Sequence, residues 1–200
     1  MARTEPVANS QITEQNNSLA SFNPRSRTWV FLFFFVSGAS GLIYEVVWTR
    51  LLTLVMGNTH YSVTTVLTAF MGGLALGSYF GGKWIDRRIN PLTAYALLEA
   101  AIGIYCVFIP HLIDWAHPIF QAIYLHSGES FTQASIFRFM VCGTILIVPT
   151  TLMGATLPVL SKFISTDQSF IGRDVGTLYS LNTFGAVCGA LGSVFLFMRL

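Results

Sequence analysis

Four ionisable side chains stand where a hydrocarbon environment would reject them. Glu45 and Arg50 interrupt an apolar run that opens at Trp29 with WVFLFFFV and closes at Met56, and Glu99 and Arg138 interrupt two later runs. A charge near the centre of a bilayer is costly, so such residues face a bundle interior, pair with one another or mark a polar path. Carboxylates at that depth suit two kinds of chemistry: an ion pair with a guanidinium from another helix, or a seat for a cation or a proton. Glu45 and Arg50 are five residues apart in sequence, about 140° around a helix, which excludes the usual i,i+4 pair. The expectation is therefore a contact made across helices, Glu45 with Arg138 or Glu45 with Arg50. Arg50, nearer the end of its run, also has the reach to snorkel towards the surface. Glu99 lies about two turns into its own run, within range of Lys83 or Lys162 or else protonated. Asn182, in the last run, is expected to hydrogen-bond another helix.

The elements that must hold these residues are apolar helices. Hydrophobic residues make up 53% of the 200 and charged residues 10%, against about 25% charged in an ordinary soluble domain. Residues 1–27 are polar and poor in large aliphatics, which predicts a disordered tail. Residues 28–200 alternate apolar runs with short polar knots. About 20 apolar residues cross the hydrocarbon core as a helix. The reading is an all-α, polytopic membrane helix bundle with about five spans, at 28–56, 61–82, 92–113, 134–160 and 175–198. FLFFFV followed by SGAS resembles a signal peptide and its cleavage site, but the apolar pattern runs well past it.

Basic residues fix an expected orientation. Arg25 and Arg27 precede the first span, Lys83, Arg87 and Arg88 follow the second, and Lys162 and Arg173 lie between the fourth and fifth. The segments 57–60 and 114–133 carry no Lys or Arg. The N-terminus is thus expected to be cytoplasmic and Leu200 outside. A net charge of +2 is too small for a nucleic-acid partner.

Two stripes of small residues predict close helix packing. Gly73, Gly77 and Gly81 recur every fourth residue in the second span, and Gly185, Gly189 and Ser193 do so in the fifth. Their use is expected within one bundle, with pairing between copies as the alternative. In VPTTLMGATLPVL, Pro149 and Pro158 each remove a backbone donor, freeing carbonyls that other groups must satisfy at membrane depth. Cys106, Cys142 and Cys188 read as small buried hydrophobes. His111, Asp114, His117, His126 and Glu129 fit no standard metal spacing, and the stretch AHPIFQAIYLHSG reads as an amphipathic segment on the surface. No P-loop, GxSxG, HExxH or dinucleotide fingerprint occurs, so no cofactor, metal or catalytic residue is expected.

Five ordered segments carry a resemblance. SGASGLIYEVVWTRLL, FMGGLALGSYFGGKWIDR, YALLEAAIGIY, PTTLMGATLPVLSKF and GTLYSLNTFGAVCGALGS together resemble the membrane domain of spermidine-synthase-like membrane proteins. Those proteins join a major-facilitator-like half to an aminopropyltransferase domain, and the second of these parts has no counterpart in this sequence. Gly82, Asp86 and Arg87 are also similar to the start of the major-facilitator loop signature, whereas Ile89 replaces its glycine and Asn90–Pro91 its basic end. The resemblance implies a non-catalytic membrane domain, bedded in lipid, that anchors or assembles a larger complex with other subunits or with its own copies. The alternatives are binding or transport of a polyamine or other small cation through Glu45 and Glu99, and a membrane part whose aminopropyltransferase domain is missing or on another chain.

Overall fold

The computed structural model describes residues 24–85, 90–126, 131–164 and 171–197. They form five helices: α1 (Pro24–Met56), α2 (Thr59–Ile85), α3 (Pro91–His126), α4 (Phe131–Ile164) and α5 (Ile171–Phe197). Each is long and apolar enough to cross a membrane. Large apolar side chains cover much of the surface, Leu54 being 83% exposed and Trp115 76%, whereas Thr65, Thr150 and Ser193 are buried within an otherwise apolar core. That distribution suits a hydrocarbon solvent.

Local sequence sets the helix ends. Gly57, with φ of 67°, adopts the left-handed conformation that terminates α1, its N–H reaching the Thr53 carbonyl at 3.0 Å. Asn58 then caps α2, its side-chain oxygen accepting from the His60 N–H at 2.8 Å. Asn90 caps α3 in the same way through the Leu92 N–H at 3.0 Å, with Pro91 at the first helical position where its missing N–H is harmless. The residues that depart from the loop signature are thus the start signal of a helix.

The first span keeps its expected bounds, Thr28–Met56, although its helix begins at Pro24, inside the expected tail. More substantially, α3 runs on to His126 through Pro110 and Pro118, and AHPIFQAIY is a continuation of the third span and not a separate surface segment. Ala116 and Phe120 are buried in the same core as Ile109 and Ile113, and this packing offsets the helix-breaking tendency of the prolines.

Helices adjacent in sequence run antiparallel, but the closest packing joins parallel helices two or four apart in order. Against α4, the small residues of α2 leave almost no gap. A Cβ at Gly73 would overlap the Thr150 side chain, one at Gly77 would fall 2.8 Å from Gly154 Cα and the Ala155 nitrogen, and one at Gly81 would meet Ala155. The α1–α5 pair repeats the device, with Gly38 against Asn182, Gly185 against Phe35 and Gly189 against Ala39. Both stripes are therefore occupied by helices of the same chain. Such contacts gain dispersion over a long seam, the main source of helix association in lipid.

The prolines of α4 are accommodated by the neighbours. Pro149 deprives the Ile145 carbonyl of its helical donor, and the Tyr105 hydroxyl of α3 donates to that carbonyl at 3.1 Å. Pro158 does the same to Gly154, whose carbonyl receives the Ser78 hydroxyl of α2, also at 3.1 Å. Both carbonyls are thus satisfied by the helices packed on either side of α4.

Candidate functional site

Glu99 sits beside the buried stripe of α3 formed by Tyr95, Leu98, Ile102 and Cys106, so its carboxylate is carried into the bundle and not into lipid. On α1 the facing segment, SGASG, is short-chained and leaves room for it. The Ser37 hydroxyl donates to Glu99 Oε1 at 2.6 Å, a short distance for a charge-assisted bond. Tyr95, one turn before Glu99 on α3, is buried beside it, and on α1 Tyr44 stacks on Trp48 with centroids 5.8 Å apart.

This cluster forms one wall of a cleft of about 470 Å³ between α1 and α3. The rest of the lining is apolar or hydroxylic, with Val30, Phe33 and Val36 from α1, Leu92 and Ala96 from α3, and Ser40 beside Ser37. Phe33 and Val36 are largely exposed, so the cleft opens sideways towards the lipid-facing surface. Among the described residues Glu99 is the one carboxylate that lines it, and none of the lining is basic.

Glu45 also points inward, on the stripe of α1 that includes Phe34, Trp48 and Leu52, of which Trp48 is 2% exposed and Leu52 0%. The expected ion pair is not formed. Among the described residues Glu45 makes no salt bridge with Arg138 or Arg50. Helical geometry removes Arg50, which turns to the exposed side and lines a separate cleft with Thr49, Thr53 and Thr59. Arg138 is held on α4 beside Cys142, with its Nε buried and lacking an acceptor; α1 and α4 touch too little to bring it to Glu45. Glu99 likewise finds the Ser37 hydroxyl where Lys83 or Lys162 was expected. Lys83 is held instead by the Tyr79 hydroxyl at 2.6 Å.

Asn182 does bond another helix: its Nδ2 donates to the Phe34 carbonyl at 3.0 Å, across the α1–α5 seam that Gly38 keeps open. Of the loop signature, Gly82 lies in α2 with no side chain near it, while Asp86 and Arg87 fall outside the described residues. Among the described residues no three His, Cys, Asp or Glu side chains converge to hold a metal; His126 and Glu129 lie beyond those whose side chains are described. Sequence reading passed over Ser37 and Tyr95. The spacing of Tyr95 and Glu99, four apart on one helix face, was the available signal for the second; nothing local marks Ser37.

The fold and its polar interior define a class, the all-helical, multi-pass bundle of membrane-spanning type. Comparison with protein-family models, curated proteins and solved structures returns no match to this chain. The chemistry of the α1–α3 cleft therefore carries the functional reading.

Proposed function

We propose that this chain is an integral membrane protein that holds a small organic cation, of the primary-amine or polyamine class, in the cleft between α1 and α3. The observation that carries the reading is Glu99, set in an otherwise apolar cleft with its Oε1 bonded by Ser37 at 2.6 Å. Hydroxyl dipoles orient and partly compensate a half-buried carboxylate, but they supply no countercharge. An ammonium group supplies it. The Phe33 and Tyr95 rings on the same walls offer faces to a cation, and the volume suits a small molecule, within the roughly 300–1,000 Å³ of ligand sites. Glu45, a second inward carboxylate about 12 Å further along α1 from Ser37, extends the acidic path. The Lys and Arg bias supports a cytoplasmic N-terminus, and the family resemblance supports a bacterial inner or plasma membrane.

The test is equilibrium binding of putrescine, spermidine and tetramethylammonium to the purified chain in nanodiscs. Saturable binding is expected, weakened at least about tenfold, or about 1.4 kcal/mol, in Glu99→Gln with thermal stability retained. Absence of saturable binding to all three cations refutes the reading and leaves the anchoring or assembly role that the resemblance implies.

A further inference from the structure

A second cleft, of about 510 Å³, lies where α2, α3 and α4 meet near the last turn of α2. Its chemistry is the opposite of the first. The tight α2–α4 seam at Gly77, Gly81 and Ala155 forms one side of it, and Phe80, Trp84 and Leu98 complete the apolar lining. Lys83 is the single ionisable group among the described residues lining it. Trp84 and Lys83 stand at the helix end, the depth at which indoles and ammonium groups settle between hydrocarbon and headgroups. The Lys83 ammonium is fixed there by Tyr79, whose hydroxyl it meets at 2.6 Å and above whose ring it lies at 4.2 Å. That contact uses one of its three donors, leaving the others for an anion.

We propose that this cleft seats one acyl chain of an anionic membrane lipid, with the lipid headgroup held at Lys83. The open apolar groove accepts the chain, and Lys83, the one charged group among its described lining residues, selects the headgroup charge. Basic pockets between membrane helices bind anionic headgroups by this combination. The site is independent of the cation cleft, since the two share no lining residue.

Trp84 provides the probe. The full chain is reconstituted in vesicles containing brominated phosphatidylglycerol or brominated phosphatidylcholine at equal mole fraction, and Trp84 quenching is obtained by difference from Trp84→Phe. The expected result is about a fivefold higher apparent affinity for the anionic lipid, the size of one lysine near an anionic surface. Lys83→Gln should bring the two lipids together, and Lys83→Arg should keep the preference. Equal quenching in the unmodified protein, or a preference that survives Lys83→Gln, overturns the assignment. So does protection of Trp84 from both lipids, which would mean that a protein helix covers the groove.

Discussion

Replacing Tyr105 by Phe should destabilise this bundle only because residue 149 is proline. The Ile145 carbonyl would normally accept from the N–H four residues on, and Pro149 has none. The Tyr105 hydroxyl supplies the missing donor at 3.1 Å. Phenylalanine keeps the ring and its packing beside Ile145 while leaving that carbonyl bare. Interhelical side-chain bonds in membranes average about 0.6 kcal/mol with a maximum near 1.7, and an abandoned buried acceptor costs about 1–3 kcal/mol. A loss of about 1–2 kcal/mol is expected. In a Pro149→Ala background the backbone donor returns, so Tyr105→Phe should then cost less than about 0.5 kcal/mol, a coupling of about 1 kcal/mol. Pro149 is fully buried, and its replacement has a packing cost of its own, but the double-mutant cycle subtracts it. The assay is reversible unfolding in mixed micelles followed by circular dichroism. An equal cost of Tyr105→Phe in both backgrounds would refute the reasoning, because the hydroxyl would then not be standing in for the proline. Ser78→Ala with Pro158→Ala is the same experiment on the Gly154 carbonyl.

Adjacent glycines should respond oppositely to alanine. A Cβ at Gly73 collides with Thr150, whereas one at Gly72 meets nothing within 4 Å. Gly72→Ala should be neutral or stabilising by up to about 1 kcal/mol, and Gly73→Ala destabilising by about 1–3 kcal/mol, read as shifts in the same unfolding midpoint. On the α1–α5 seam, Asn182→Ala should lose about 0.6–1.7 kcal/mol with its bond to Phe34. Gly38→Ala should lose more, because its Cβ meets the Asn182 backbone carbonyl, which cannot rotate away; thermal unfolding of the two variants side by side checks the order.

The helices themselves were legible in the chain. Run length and hydropathy report directly on whether a segment prefers hydrocarbon, and the starts and stops at Gly57, Asn58, Asn90 and Pro91 depend only on neighbours in sequence. The sequence pattern sets AHPIFQAIYLHSG on the surface as a separate amphipathic segment, whereas the burial of Ala116 and Phe120 against distant helices carries α3 through it. Helical periodicity also placed Glu45 inward and Arg50 outward, since the angle between two residues on one helix needs no tertiary knowledge.

What the sequence determined by itself was a set of apolar helices carrying a few misplaced charges, small-residue stripes and four internal prolines. Tertiary structure decided who meets whom. It gave Glu99 the Ser37 hydroxyl in place of a lysine, left Glu45 without Arg138, spent both glycine stripes within one chain and answered each proline of α4 from a different neighbour. The physical reason is range. Hydropathy and helix phase are properties of residues a few positions apart, whereas a partner 62 residues away, as Glu99 is from Ser37, is fixed only when whole helices settle into one packing.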